Sequence, residues 1–178
     1  PVTAKLAEQM ASHPLDFVIH TGDVVYNAGE NTSPAEAFAL KYFQPFAPLL
    51  HQLPIYAVPG NHEYAQDARI DGIPYYYHVF PPLLDSGQID TSPSERRQYY
   101  AIVYQNIQFI FLDSQVFFGE KGKTEQEEWL DQRLQDDQTK YSVVIMHVPL
   151  FTSSVIHPKD SQPVRQAWHD KFTGAGVP

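Results

Sequence analysis

The chain has 178 residues, 43% hydrophobic and 19% charged, an ordinary globular mix that argues against intrinsic disorder. Twelve Lys and Arg against 21 Asp and Glu give a formal charge of −9, which repels phosphate backbones and anionic lipids and argues against a nucleic-acid coat or a membrane-surface role. There is no cysteine, hence no disulfide scaffold or thiolate nucleophile, and no apolar run reaches the ~20 residues that a membrane-spanning helix needs.

The elements follow in chain order. Thr3 to Met10 sets Leu6, Ala7 and Met10 on one face and predicts a short amphipathic helix. After Pro14, a buried strand is expected over Asp16 to Thr21, ending at Gly22-Asp23. A loop rich in Asn, Gly and Ser leads to Ser33-Pro34-Ala35-Glu36, where Ser33 can cap a helix, Pro34 suits its first turn and Glu36 completes a capping box. That helix is expected to reach Phe43 and to be interrupted by Pro45. Ile55 to Val58 forms a second buried strand, which stops at Pro59-Gly60.

From Tyr64 to Arg97 the pattern is irregular, with Pro74, Pro81, Pro82 and Pro93, and Tyr75-Tyr76-Tyr77 reads as an aromatic packing cluster. Tyr99–Tyr104 and Gln108–Leu112 predict a hairpin around Gln105-Asn106-Ile107. Thr124-Glu125-Gln126-Glu127 has the form of another capping box, opening a helix with Trp129, Leu130 and Leu134 inward. A further buried strand spans Ser142 to His147, and a last helix Pro163 to Phe172. Alternating strands and helices imply an α/β fold, a largely parallel sheet covered on both sides with an antiparallel part from the hairpin. No linker or internal repeat divides the chain, so residues 1–178 are read as one domain.

Three strands end in polar signatures: Gly22-Asp23, Gly60-Asn61-His62-Glu63, and His147. Ligands of open α/β sheets bind beyond the carboxyl ends of strands. Asp, Asn and His supply oxygen and nitrogen donors suited to Fe, Mn or Zn. Gly22 and Gly60 let the backbone turn and approach the site without a Cβ. A Gly-Asp pair alone is also an ordinary turn, and a lone strand-end His an ordinary core residue; the three together in this order carry the metal-site reading.

The set resembles the calcineurin-like metallophosphoesterases and is most similar to their purple acid phosphatase branch. Gly22-Asp23-Val24-Val25-Tyr26 is a GDxxY, Gly60-Asn61-His62-Glu63 a GNHE, and Val144-Ile145-Met146-His147 a VxxH. The resemblance implies layers of mixed β-sheet flanked by helices, an α/β/β/α sandwich. It implies that Asp23 bridges two metals, that Tyr26 binds the first, and that Asn61 and His147 bind the second. His62 would contact the substrate phosphate or protonate the leaving group, and His157, shortly beyond His147, would face the substrate. The implied activity is hydrolysis of phosphate monoesters by a hydroxide that two metals activate. A phosphodiesterase or nucleotide hydrolase on the same scaffold, or a degenerate non-catalytic binding module, are the alternatives.

The residue types suit that chemistry. A carboxylate such as Asp23 can hold two cations about 3.5–4 Å apart. Neutral Asn61 preserves positive charge to draw phosphate, and a phenol such as Tyr26 ionises at working pH only beside a strongly acidic cation, which points to Fe(III), with Fe, Zn or Mn(II) as its companion. Glu63 is expected to orient its neighbours and is assigned no metal. His20 reads as a core or supporting residue, and His13, His51, His78 and His169 as surface or packing residues.

Two family blocks are missing: an early Asp block before Asp23 and a GHxH after His147. The chain is therefore expected to be a catalytic domain incomplete at both ends, with weak metal binding and poor turnover by itself. The substrate would be a small phosphoester, and the oligomeric state stays open. The resemblance implies a secreted or periplasmic parent, although the chain carries no signal peptide.

Overall fold

Short apolar runs punctuated by Gly and Pro build short strands, and the longer periodic stretches build the helices around them. The computed structural model describes residues 2–26, 32–80, 98–119, 122–135 and 139–177. The chain divides into two compact units, Pro1–Pro81 and Pro82–Pro178, taken here in turn.

The first unit opens with α1 (Val2–Ala11). Its buried residue is Ala7, which clusters with Val18 and Leu49 while Met10 packs alongside. Leu6, expected on the same face, is 53% exposed, and Ala7 is the residue that packs with Leu49 of the later helix. Strand β1 (Val18–His20) pairs in parallel with β2 (Ile55–Ala57), Val18 opposite Ile55 and His20 opposite Ala57. Both are shorter than expected, although Val58 extends the ladder by donating its N–H to the His20 carbonyl at 3.1 Å.

Helix α2 (Pro34–Phe38) starts as its sequence dictates. The Ser33 Oγ accepts the Glu36 N–H at 3.3 Å, and the Glu36 carboxylate accepts the Ser33 N–H at 2.9 Å. Pro45 does not break the helix. A π-helical turn (Ala39–Phe43) leads straight into α3 (Gln44–Leu50), with the Gln44 N–H reaching back to the Ala39 carbonyl. Pro45 falls in the first turn of α3, where its missing N–H and fixed φ are tolerated.

After β2, 3₁₀ turns at His62–Tyr64 and Gln66–Ala68 precede a two-residue ladder of β3 (Arg69–Ile70) and β4 (Ile73–Pro74), then α4 (Tyr76–Val79). An aromatic core of Phe38, Tyr42 and Tyr76 with Ala37, Val24 and Val25 fills this unit, and Tyr75 and Tyr77 pack against it. The three consecutive tyrosines are thus packing residues, as expected. Burial pushes the Tyr42 hydroxyl well above its ordinary pKa. The remainder of the irregular stretch, residues 81–97, and the loop at 27–31 lie outside the described residues.

In the second unit β5 (Tyr100–Tyr104) and β6 (Ile107–Phe111) form the expected hairpin, Tyr104 opposite Ile107, with Gln105 in the left-handed region at φ 55°. Strand β7 (Tyr141–Ile145) joins β6 in parallel, so the sheet order is β5-β6-β7. Helices α5 (Lys123–Leu134) and α6 (Ser161–Gly174) contribute Trp129, Leu130, Val164, Trp168 and Phe172 to a core that also holds Ile110 and Leu112. Leu134 packs at its margin. The second capping box does not form: α5 begins one residue before Thr124, behind Gly122 at φ 90° and without a side-chain cap. The fold is α/β with mixed parallel and antiparallel pairing.

Candidate functional site

At the end of β1 the chain turns through two residues with positive φ, Gly22 at 95° and Asp23 at 52°. For an aspartate this left-handed backbone is uncommon and costs about 1 kcal/mol or more unless its surroundings hold it. Those surroundings come from the end of β2. A Cβ on Gly60 would lie 2.2 Å from Asp23 Oδ1 and 2.5 Å from the Asp23 nitrogen, so only glycine allows the two turns to approach this closely.

Hydrogen bonds then tie the turns together. The His62 N–H donates to Asp23 Oδ1 at 3.2 Å. Glu63, 2% exposed, accepts three backbone N–H groups: Gly60 at 2.7 Å and Asp23 at 2.8 Å on Oε2, and Val25 at 3.2 Å on Oε1. Burial raises the Glu63 pKa most; the bonds from Gly60, Val25 and Asp23 pull it back, and the neighbouring Asp23 charge pushes it up again.

Tyr26 completes this cluster. Its ring is 54% exposed and tilts against the His62 imidazole with centroids 4.4 Å apart. Its pKa is raised by burial first, then by its hydrogen bond to the Asp23 carboxylate and by the negative charges of Asp23 and Glu63. The Lys41 Nζ donates to the Tyr26 carbonyl at 2.7 Å. Asn61 is exposed and opens the 3₁₀ turn that carries His62. The structure therefore gathers Asp23, Tyr26 and His62 around two joined turns, with Asn61 next in the chain.

His147 and His157 belong to the second unit. His147 follows β7 and is half-buried. Its neighbour Val148 donates its N–H to Ser114 Oγ at 3.1 Å. Ser114 itself follows a clamp at the end of β6: Gln126 Oε1 accepts the Asp113 N–H at 2.8 Å and Gln126 Nε2 donates to the Asp113 carbonyl at 2.9 Å. His157 is exposed, with Nδ1 3.1 Å from Asp160, and its N–H donates to Ser154 Oγ at 3.3 Å. The remaining histidines behave as expected: His13, His51 and His78 are exposed, His20 meets Phe46 edge-on, and His169 pairs with Asp170.

Sequence reasoning did not find the Gln126 clamp or the Ser114 anchor. Gln126 sits inside a Thr-x-x-Glu pattern that reads as a cap, so its inward role was hidden. For Glu63 the signal was present in the GNHE motif, but two of its three acceptances depend on a turn about forty residues earlier in the chain.

Among the described residues no three His, Asp or Glu side chains form a metal cage by themselves. The first unit's candidate donors are instead a carboxylate, a phenol and a carboxamide, an oxygen set that suits a hard cation. The charges fit one as well. Burial first, and then the hydrogen bond and negative charge of Asp23 and the charge of Glu63, raise the Tyr26 pKa, and a cation beside these groups would offset the effect of the charges.

A sequence model of the calcineurin-like phosphoesterases matches residues 2–172. Among solved structures, the purple acid phosphatase PPD1 from yellow lupin (Lupinus luteus) seeds shares the fold with a TM-score of 0.64 and 19% identity, covering 98% of this chain. This chain spans 31% of that phosphatase. No curated protein matches the sequence significantly.

Proposed function

Because this chain belongs to the calcineurin-like phosphoesterase family, we propose that it carries part of the site of a hydrolase of phosphate monoesters that uses two metal ions. The observation that supports this most is the contact between the Tyr26 phenol and the Asp23 carboxylate at the end of β1, which unites the two ends of the GDxxY motif. Asp23 and Tyr26 would hold the first cation, Fe(III), Asp23 and Asn61 would contribute to the second, Fe, Zn or Mn(II), and His147 is the second unit's candidate donor. When bound, such a pair supplies charge that draws phosphate and acidifies water for attack on phosphorus.

The chain's own groups have distinct tasks. Asp23 is held by two turns, so its oxygens are set before any ligand arrives. Tyr26 must release its proton to become a ligand, and its hydroxyl is hydrogen-bonded to Asp23. Asn61 would offer a neutral oxygen and leave the positive charge intact. His62, packed on Tyr26 and half-buried, can hold a phosphate oxygen or give a proton to the leaving alkoxide. His157 is exposed and would meet the substrate from its own loop.

The test is to load the chain with iron and with Mn(II) or Zn(II), then to measure cation binding and hydrolysis of an aryl phosphate monoester and the corresponding diester. Metal-dependent turnover that favours the monoester is expected, slow in the chain alone, and reduced at least ~100-fold in Asp23→Asn. Iron loading should give a visible charge-transfer colour that Tyr26→Phe abolishes. Failure to bind either cation, or equal turnover in Asp23→Asn, would overturn the reading.

A further inference from the structure

The GNHE glutamate, expected to orient its neighbours, is the acid of the first unit's cluster that is assigned no metal. It is almost fully buried, and all three hydrogen bonds it accepts come from backbone N–H groups of the turns that carry the candidate ligands. Two of those donors, Asp23 and Gly60, belong to different strand ends and meet on a single oxygen, Oε2. The third, Val25, lies between Asp23 and Tyr26.

We propose that Glu63 is a positioning residue that locks the Asp23–Tyr26 turn to the Gly60–His62 turn and so sets the metal affinity of the first unit; the proposal rests on the metal-site reading above. Three donors converging from two turns need lone pairs on two neighbouring atoms, which the two oxygens of a carboxylate provide. The lock has a target, since Asp23 occupies left-handed backbone. Without a partner on its N–H, that turn can relax to an ordinary conformation and swing the carboxylate away from Tyr26. The His62 N–H on Asp23 Oδ1 depends on the same closure, because Gly60, His62 and Glu63 lie on one short turn. Groups behind a ligand commonly change metal affinity or activity by ~10–100-fold.

The experiment measures Mn(II) affinity of the whole chain by competition with a chromogenic chelator, for wild type, Glu63→Gln and Glu63→Leu, each well below its unfolding midpoint. A glutamine can keep the two short bonds on Oε2 but must set an amide nitrogen against the Val25 N–H, so affinity should fall by less than ~10-fold. Leucine removes all three acceptances, and affinity should fall by ~10–100-fold while far-UV circular dichroism stays that of wild type. A folded Glu63→Leu with wild-type affinity overturns the proposal, since Glu63 would then only stabilise the fold. If the leucine variant does not fold, the glutamine variant decides: weakened Mn(II) binding supports the proposal, and unchanged binding overturns it. Absence of Mn(II) binding by wild type overturns the metal-site reading itself, and this proposal falls with it.

Discussion

Each unit fixes a strand end with one buried polar side chain, but the two side chains differ in charge. In the first unit Glu63 faces three N–H donors; in the second, Gln126 faces one N–H and one carbonyl of Asp113. The chemistry of each strut follows from the groups it must satisfy. Three donors call for a carboxylate, which only accepts, whereas a donor and an acceptor on the same residue call for an amide, which does both. The charged strut has the higher desolvation cost, visible as the upward displacement of the Glu63 pKa by burial. It lies where the turns that carry Asp23 and His62 meet.

Exchanging the chemistry in the second unit should break this comparison most severely. Gln126 is fully buried, and Gln126→Glu would set a carboxylate oxygen against the Asp113 carbonyl. A loss of about 3 kcal/mol is expected at neutral pH in urea unfolding. The deficit should shrink in acid, because a buried glutamate with one oxygen against a carbonyl has a folded pKa above its unfolded one, and stability is then lost as pH rises. An equal deficit at both pH values would show that the clamp does not depend on charge.

A smaller effect tests the closeness of the two turns in the first unit. Gly60→Ala would force its Cβ into Asp23 and should cost about 2 kcal/mol, since the Asp23 backbone nitrogen as well as its carboxylate must yield. Gly174→Ala, at a second-unit position with nothing within 4 Å, should be neutral or slightly stabilising. Similar costs at both positions would mean that the turns are not closely opposed.

The smallest effect comes from the same acceptor chemistry on the surface. The Glu36 carboxyl is held below its ordinary value near 4.5, first by the backbone hydrogen bond from Ser33 and then by the Ser33 side chain. Its contribution is therefore present at neutral pH and lost as pH falls through the lowered folded pKa. Ser33→Ala should cost about 1 kcal/mol at neutral pH, and the gap to wild type should narrow in acid. A gap that stays constant with pH would assign the cap to Ser33 alone.

The sequence by itself determined the element types, the hairpin at Gln105-Asn106, the Ser33 capping box and the order of the GDxxY, GNHE and VxxH motifs. These are legible because their causes are local: periodicity, a turn pair, or a cap that bonds three residues away. It misjudged Pro45, which falls in the first turn of a continuing helix, and Thr124, because α5 starts one residue earlier behind a left-handed Gly122. Tertiary structure alone decided that Leu6 faces solvent and Ala7 the core, that Gln126 clamps Asp113, and that Glu63 joins turns forty residues apart. A buried hydrogen bond is specified by which donors arrive in space, and residue order does not reveal that until the chain has folded.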